Sequence, residues 1–435
     1  MKKINNWIDK NMNKVLIIFL FMQPIIDVLT AVMIHCFKTE FTIGVVLRIL
    51  FLVFVVYYLF FVDKNKERKK SIIYIITILI YILLFSVNIL YSKGMNAFIF
   101  ELKSTIKTFY FPILLVCIYE VFRIKKNIIK PRFLKNLFIF YGLLVFIPNI
   151  LGLGYDSYAV TKSGSIGWFY SANEISAIFS ILMPIFIYIV LDKKNYPFII
   201  ISGIVLIYIL TSMGTKGPLL SFLIIVLYYI LKYVYISIKR KKYKGVGLLA
   251  VGVLLIFFIG ILVIPRTNFY KNIVVHLEFL GVKNVGDIVK SPKVLDHFVF
   301  SQRLSFWSKT NRIYKNSNLA SKVVGIGYID NYATDEVSMK MVEMDYVDIF
   351  YRHGIVGFII YMSSFIYMVV KLIKKYFNNS KINNRNKIVQ AYMLSLVLSV
   401  VLAFLTGHVI TSPSVSIFVA LIFNLFYNEL YEGEV

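Results

Sequence analysis

Long apolar runs, each close to one membrane thickness in length, recur along almost the whole 435-residue chain. A helix needs about 20 predominantly apolar residues to cross the hydrocarbon core of a bilayer. Twelve runs meet or approach this length, and polar or basic segments separate them. They cover residues 15–37, 41–62, 72–91, 105–122, 137–154, 174–191, 197–213, 218–238, 246–264, 355–373, 388–406 and 414–430. The pattern predicts an all-α polytopic membrane protein with about 12 transmembrane helices.

The composition leads to the same class of protein. Hydrophobic residues make up 59% of the chain and charged residues 16%, whereas a soluble domain has roughly 45–50% and about 25%. A soluble globular enzyme and a disordered chain are therefore excluded. The two cysteines, Cys36 and Cys117, both lie in apolar segments, so their spacing indicates neither a disulfide framework nor a metal site.

The net charge of +26 is explained by topology rather than by nucleic-acid binding. Lys and Arg collect in the cytoplasmic segments of membrane proteins. With the N-terminus placed in the cytoplasm, the inside segments carry 27 Lys and Arg residues. The short outside segments carry 6 when Lys107, at the outer end of the fourth predicted helix, is counted with them. This asymmetry predicts that both termini are cytoplasmic.

The predicted topology divides the chain into three parts. Residues 1–264 hold the first nine helices, residues 265–354 form one large extracellular loop, and residues 355–435 hold the last three helices. The loop carries 12 basic and 9 acidic residues. Loops of this length are usually functional or disordered, and we expect this one to fold into short helices.

Several ionisable residues fall inside or beside the predicted spans, where charges are costly and usually functional. Asp27 and Arg48 lie at similar depth in the first two helices, so they are expected to pair. Arg48 serves either this structural ion pair or an anion-binding cavity. Lys103 and Lys107 are four residues apart and share one helix face. They are either snorkelling lysines or a phosphate-binding pair.

Three outer turns carry further candidates. Asn173 precedes the sixth helix and is interpreted as a helix cap or as a residue that lines a wet cavity. Lys216 stands in a Gly-Thr-Lys-Gly turn at a helix N-terminus, where backbone donors and a cation make an anion site unless the turn is simply exposed. His408, in the last outer turn, lines a cavity or forms a structural hydrogen bond.

The outer loop contains the remaining polar candidates. Arg303 lies four residues before Trp307. Glu343 and Asp345 are acceptor groups close to the membrane surface, and either could take a proton from a sugar hydroxyl. Asp348 is predicted to line the cavity or to form a helix-surface pair with Arg352. The Gly325-Ile-Gly327 sequence has no strand–helix context, so it does not indicate a nucleotide site.

The order of these motifs resembles that of the O-antigen ligase and Wzy-type polysaccharide polymerase superfamily, in particular its Gram-positive-like members. The resemblance covers nearly the whole chain and rests on five groups of residues. They are Gln23-Pro24 with Asp27, Gly167 to Glu174, Gly214 to Gly217, the loop residues from Arg303 to Gly357, and Gly407-His408 with Ser412-Pro413.

The resemblance implies a membrane glycosyltransferase of the C-type fold in the bacterial cytoplasmic membrane. Such enzymes move a glycan from an undecaprenyl-pyrophosphate carrier to an acceptor glycan or lipid on the outer face. It also implies contact with membrane lipids, and partners such as a flippase and a chain-length regulator. Two departures stand out. Lys216 occupies a position that is usually Arg, and Glu343-Met-Asp345 occupies a position where many ligases have His-Asn. The second departure favours a polymerase over a ligase.

Pyrophosphate leaves readily if its developing negative charge is stabilised. Cations alone would be sufficient for this, and no general acid would be needed. Five are expected to contribute, namely Arg303, Lys216, Arg48, Lys103 and Lys107. Metal-dependent relatives hold an acidic pair in the first outer loop, where this chain has only Glu40. We therefore expect no metal and no cofactor, with Glu343 or Asp345 as the base and inversion at the anomeric centre.

The alternative function is a transporter or flippase of lipid-linked sugars. Twelve helices and buried charges are compatible with it. Transporters tend to have internal repeats, and no repeat is visible in this sequence. Most of the motif-like polar residues also lie in the long outer loop, which favours the enzyme.

Overall fold

The structure is a computed structural model, in which the placement of most of the chain is described. The described residues are 2–39, 42–66, 68–125, 128–158, 162–241, 243–282, 285–329, 341–378 and 387–432. Glu40, on which the prediction of a metal-free site partly rests, lies outside them.

The described residues are almost entirely α-helical and contain no β-strand. The helices are α1 (Lys2–Phe37), α2 (Ile43–Tyr57), α3 (Arg68–Ile124), α4 (Pro131–Ile150), α5 (Ala172–Asp192), α6 (Tyr196–Ser212), α7 (Lys216–Lys239), α8 (Tyr243–Val263), α9 (Asn268–Phe279), α10 (Val285–Lys290), α11 (Pro292–Phe298), α12 (Arg303–Asn316), α13 (Leu319–Val324), α14 (Asp345–Asn378), α15 (Lys387–Leu405) and α16 (Pro413–Glu432). A π-helical turn, Tyr58–Val62, extends α2, and a 3₁₀ turn, Ile264–Arg266, follows α8. The prediction of an all-α polytopic membrane protein is confirmed.

The predicted spans coincide with long helices. Nine helices in the described part of the chain are long and apolar enough to cross a membrane. One of them, α3, has 57 residues and holds two predicted spans. The shorter apolar helices α6 and α8 correspond to two more.

Burial separates the central helices from those that face lipid. Of an apolar stretch of 18 residues in each helix, 78% is buried inside the protein in α5 and 83% in α16, whereas 11% is buried in α7. Helix α5 packs against α4, α7, α15 and α16, and α16 packs against α3. Helices α5 and α16 therefore form the centre of the bundle.

Helix α3 folds back on itself. Gly94 has φ 76° and ψ −175°, which no α-helix accommodates, and it divides α3 into two arms. The hydroxyl of Ser71 near the start of α3 donates to the carboxylate of Glu120 near its end, at 2.5 Å. Both ends of α3 therefore lie on one side of the bundle, and Gly94 lies on the other.

The outer loop is a set of short helices, α9–α13, followed by an extended segment that is inserted into the bundle. The amides of Ile326 and Gly327 donate to the carbonyls of Tyr351 and Arg352, at 3.2 and 3.0 Å. The buried carboxylate of Glu101, on α3, accepts hydrogen bonds from the next two amides of this segment, at 2.8 Å. The segment therefore fastens the outer loop to α3 and α14.

Glycines at two positions allow this insertion. Gly354 has φ 63° and breaks α14. A side chain on Gly325 would lie 2.1 Å from the carbonyl oxygen of Arg352, and one on Gly354 would lie 2.6 Å from the amide nitrogen of Gly325. The Gly-Ile-Gly sequence therefore serves close backbone approach, in agreement with the prediction that it is not a nucleotide site.

A small core holds α12 against the first half of α14. The Trp307 indole donates to the Tyr351 hydroxyl, at 3.1 Å, and that hydroxyl donates to Asn311, at 3.2 Å. Val342 and Met344 are fully buried in the same cluster. The part of the outer loop next to the membrane is thus packed rather than loosely tethered.

The prediction that Asp348 and Arg352 pair on the surface of a helix is wrong about where the pair lies. Both side chains are buried, with exposures of 2% and 0%. Their closest N–O distance is 3.8 Å, and Arg352 donates to the carbonyl of Gly327 at 3.0 Å. The spacing placed both residues on one face correctly, but the inserted segment 325–329 covers that face.

We expect Gly354→Ala to destabilise the protein. An L-residue in the left-handed region costs roughly 1–2 kcal/mol, and the added carbon would also press on the backbone of Gly325 and Val323. The matched control is Gly203→Ala in α6, which has no neighbouring atom within 4 Å of the added carbon. Thermal melting of the purified, detergent-solubilised protein should show a lower midpoint for Gly354→Ala alone. Equal midpoints would contradict the role given to Gly354.

Candidate active site

Arg303 is positioned by the turn between α11 and α12. It is the first residue of α12, and the two preceding residues, Ser301 and Gln302, both have left-handed backbone angles. The buried carboxylate of Asp296 accepts hydrogen bonds from the amides of Leu304 and Ser305, at 2.9 and 3.0 Å. Asp296 thus caps α12 from outside the helix and fixes where Arg303 begins.

Arg303 and Glu343 form an ion pair at the membrane end of the outer loop. The Arg303 guanidinium donates to the Glu343 carboxylate at 3.0 Å and to the Glu343 carbonyl at 3.1 Å. It also donates to the carbonyl of Thr406, at 3.3 Å. The Glu343 side chain keeps 31% of its surface exposed, whereas that of Arg303 keeps 10%. The carboxylate is therefore the accessible member of the pair.

The backbone of Glu343 is strained and tightly held. Its φ is 61°, a left-handed value that is uncommon outside glycine. The Asp348 carboxylate accepts hydrogen bonds from the amides of Val342 and Glu343, at 3.0 and 2.9 Å. Gly407 approaches from the opposite side, where a side chain would lie 2.5 Å from the Glu343 carbonyl. Such strain persists only where the surroundings impose it, and it is typical of functional sites.

Asp345 has a different environment from Glu343. Its carboxylate is fully buried. It accepts hydrogen bonds from the amides of His408, Val409 and Ile410, each at 2.8 Å, and from the Thr411 hydroxyl at 2.6 Å. Of the two carboxylates predicted as alternative bases, that of Glu343 is therefore partly exposed, and that of Asp345 is buried with four hydrogen-bond donors around it.

The last outer turn joins this cluster to a second one. His408 is half-buried, has φ 58°, and is bound through its amide to Asp345. Further along the turn, the hydroxyls of Ser412 and Ser414 donate to the Glu174 carboxylate, at 2.5 and 2.8 Å. A single stretch, residues 406–414, thus contacts Glu343, Asp345 and Glu174.

Asp27 and Arg48 form the predicted ion pair, at 2.5 Å. Gln23 accepts two further hydrogen bonds from Arg48, at 3.0 and 3.1 Å, and the Tyr141 hydroxyl donates to Asp27 at 2.9 Å. Both charged residues line a small cavity of about 50 Å³, which Glu174 and Ser414 also line. The structure therefore supports the ion-pair interpretation of Arg48, which also borders this small cavity.

Of the two α3 lysines, Lys107 is the one that relates to this cavity. It is exposed, and its charge, together with that of His408, acts on the Glu174 carboxylate. Lys103 is half-buried four residues earlier. The pair shares one face as predicted.

Lys216 lies on the other side of the turn that precedes Arg303. Its ammonium donates to the carbonyl of Phe298 at 2.5 Å and lies 4.1 Å from the centre of the Phe298 ring. Arg303 donates to the carbonyl of Phe300, at 3.4 Å. The two cations therefore bind carbonyls only two residues apart.

The surroundings of Lys216 are strongly basic. His276 is half-buried nearby, and burial together with the positive charges of Lys162, Lys216 and His297 lowers the pKa of His276 to about 4. Burial also lowers the pKa of Lys162. Burial is the largest cause of both shifts, and the basic neighbours of His276 add to it, so this region gathers several basic side chains beside Lys216.

Asn173 does not cap α5. The cap is Ser171, whose hydroxyl accepts the amide of Glu174 at 3.4 Å. Asn173 is half-buried in the first turn and is absent from the residues that line the small cavity. Asp348 likewise binds backbone rather than lining this cavity. His408 is also absent from the lining residues and is held through its backbone amide. All three cavity-lining assignments thus lack support in the arrangement of the described residues.

A family model for O-antigen ligase like membrane proteins matches residues 9–286 and 282–432. The chain belongs to this family. No curated protein matches it significantly. The resemblance seen in the sequence is therefore confirmed over nearly the full length of the chain.

In this O-antigen ligase-like protein, sequence reasoning did not identify Glu174 and Asp296 as site residues. Glu174 stands three residues after Ser171, which resembles an ordinary helix-capping box, yet its carboxylate binds the last outer turn instead. Asp296 caps α12 from seven residues before Arg303, and this spacing matches no standard capping motif. Among the described residues, no three or more His, Cys, Asp or Glu side chains cluster closely enough to hold a metal.

Asp345→Asn is expected to lower the thermal stability of the protein, whereas Glu343→Gln should leave it close to wild type. Asp345 loses hydrogen bonds to a charged acceptor, each contributing roughly 1.5–3 kcal/mol, while Glu343 is partly solvated. Melting of both purified variants measures the difference. A Glu343→Gln protein that melts as low as Asp345→Asn would show that the two carboxylates are equally structural.

Proposed function

We propose that the protein is a glycosyltransferase that polymerises, or ligates, undecaprenyl-pyrophosphate-linked glycan units on the outer face of the bacterial cytoplasmic membrane. The family supports a role as a membrane glycan ligase or polymerase. The observation that carries the specific proposal is the Arg303–Glu343 pair. The backbone of Glu343 is strained, and its partly exposed carboxylate lies 3.0 Å from the guanidinium of Arg303, which backbone carbonyls hold in place.

Glu343 is the proposed base. Asp345 has four donors on its carboxylate and no exposure, so it lacks both the access and the free lone pairs that a base needs. Glu343 would take the proton of an acceptor hydroxyl. The hydroxyl oxygen then forms a bond to the anomeric carbon, and the bond from that carbon to the pyrophosphate oxygen breaks. Attack opposite the leaving group inverts the anomeric centre.

The departing undecaprenyl pyrophosphate would be stabilised by cations. Arg303 and Lys216 are the first candidates because they flank one turn, at carbonyls two residues apart. Lys216 is a point charge and does not bind phosphate bidentately as Arg does. Arg48, Lys107 and Lys103 are proposed to extend the positive field around the cavity beside Glu174. Asp345 is assigned a positioning role through its hold on residues 408–411.

We further propose that both termini are cytoplasmic and that residues 265–354 face outwards. The acceptor is a glycan or lipid, and membrane lipids surround the bundle. A flippase would supply the carrier-linked substrate, and a chain-length regulator would act on a growing polymer. The Glu-Met-Asp sequence in place of His-Asn favours polymerisation.

We expect the gene deletion, complemented with Glu343→Gln or Arg303→Ala, to lose long surface polymer and to accumulate single carrier-linked units. Loss of a general base costs typically 10²–10⁴-fold in rate, and loss of one charge-stabilising donor about 10²–10³-fold. Gel analysis of surface glycan beside extracted lipid-linked sugars gives the readout. Arg312→Ala serves as control, because Arg312 is exposed on the same helix α12.

The leaflet in which the single units accumulate distinguishes the two functions. Units that are accessible from outside support the transferase. Units confined to the inner leaflet would show that the protein is a flippase, and polymer of wild-type length in both site variants would remove Glu343 and Arg303 from the mechanism.

Activity should survive metal chelation. In the proposed mechanism Lys and Arg side chains neutralise the leaving pyrophosphate, which is the role a divalent cation has in other transferases. Purified protein, carrier-linked substrate and excess EDTA should give the same initial rate as protein without chelator. A rate that falls with EDTA and recovers with Mg²⁺ or Mn²⁺ would contradict the cation clamp.

A further inference from the structure

A second, larger cavity lies at the end of the bundle opposite to the Arg303–Glu343 pair. Its volume is about 660 Å³, and it opens between the two ends of α3 and the middle of α14. Arg303 and Glu343 belong to the outer loop, whereas both ends of α3 lie on the other side of the Gly94 turn. Under the predicted topology this cavity faces the cytoplasmic leaflet.

The described residues that line this cavity are strongly basic. Its cations are Lys66, Lys69, Lys70, Arg123 and Lys371. Glu120 is the only carboxylate among the described lining residues. It already accepts a hydrogen bond from Ser71 at 2.5 Å and forms an ion pair with Arg123 at 2.7 Å. Glu67, in the same stretch, lies outside the described residues. The cavity thus has an excess of positive charge that favours an anion.

The start of α3 adds backbone donors to these charges. Lys69, Lys70 and Ser71 are in the first turn of α3, and that turn holds no acidic residue. The first four amides of a helix have no partner within the helix, and the helix dipole places partial positive charge there. A phosphate group would therefore meet ammonium groups beside the positive end of the helix dipole at one edge of the cavity.

The wall of the cavity changes from polar to apolar. The Tyr74 hydroxyl donates to the Ile360 carbonyl at 2.9 Å and lies 3.0 Å from the Ser364 hydroxyl. Val116 and Met368 contribute apolar surface to the wall. Ile73 and Ile366, on the outer surfaces of α3 and α14, are 63% and 53% exposed. Apolar surface thus continues from the cavity towards the lipid.

Lys371 lies within the cavity rather than on its rim. Its ammonium donates to the Tyr119 hydroxyl at 3.1 Å and lies 4.5 Å from the centre of the Tyr367 ring. These partners are neutral, so they hold the ammonium in place without cancelling its charge. One cation held by neutral partners and three exposed lysines, Lys66, Lys69 and Lys70, match a ligand with a phosphate at one end.

We propose that this cavity binds the phosphate headgroup of an anionic phospholipid from the inner leaflet, with the acyl chains lying along α3 and α14. Charge complementarity favours the phosphate, and the apolar wall favours a lipid over a free anion. Basic pockets between transmembrane helices commonly bind anionic headgroups in this way. The proposal rests on the cavity alone and does not depend on the glycosyltransferase function.

The test is native mass spectrometry of the full-length, delipidated protein with phosphatidylglycerol, phosphatidylcholine or inorganic phosphate as separate probes. The variant is Lys69→Ala with Lys70→Ala. The matched control is Lys239→Ala with Arg240→Ala, which removes the same charge from exposed positions at the end of α7, outside the cavity. Each Lys near an anionic headgroup contributes about fivefold to affinity, so the cavity variant should bind phosphatidylglycerol about 25-fold more weakly than wild type.

The expected result is selective retention of phosphatidylglycerol by wild type and by the control, and its loss in the cavity variant. Equal binding of the two lipids to wild type would overturn the proposal, as would equal weakening in both variants. Inorganic phosphate that displaces the lipid, where chloride of the same ionic strength does not, would show that the cavity takes a free anion instead. Melting of the variants without lipid at the wild-type temperature confirms that they are folded.

Discussion

The start of α14 depends on one buried carboxylate. Asp345 is inaccessible to solvent. Its carboxylate accepts hydrogen bonds from three backbone amides and one hydroxyl of residues 408–411. Those amides belong to a non-helical turn among membrane helices, where an unpaired donor is costly. Their bonds to Asp345 fix the last outer turn against α14. Gly407 then contacts Glu343, and Thr406 presents a carbonyl to Arg303, so the geometry of the candidate site follows from this interaction.

Buried carboxylates also bind backbone amides at three other places where the chain leaves helical structure. Glu101 binds the amides of residues 328 and 329, Asp348 those of 342 and 343, and Asp296 those of 304 and 305. Each carboxylate replaces the partner that a continuing helix would supply. Together with Asp345, four buried carboxylates in and beside the outer loop are thereby committed to the backbone. Glu343 differs because its carboxylate keeps substantial exposure.

Much of the fold could be predicted, because membrane-spanning segments are a local property of length and hydropathy. The Asp27–Arg48 pair was also predictable from helical depth. The roles of the acids were not, since the backbone amides that bind Asp345 are 63 or more residues away and those that bind Glu101 are 227 or more residues away. The location of the Asp348–Arg352 pair was wrong for the same reason: the segment that covers it is distant in sequence. Ser171 rather than Asn173 caps α5, and the sequence offers both as standard capping residues.

The two cations beside the α11–α12 turn already have partners. Lys216 is bound to the carbonyl of Phe298, and Arg303 to those of Phe300, Glu343 and Thr406. An anion that reaches them must therefore exchange with main-chain oxygens, and at Arg303 also with the Glu343 carboxylate, rather than fill an empty site. Neutral carbonyls bind these cations less strongly than a doubly charged ligand does. Binding of an anion at these two cations is consequently coupled to the conformation of the α11–α12 turn. That turn connects α11 to the helix that begins with Arg303.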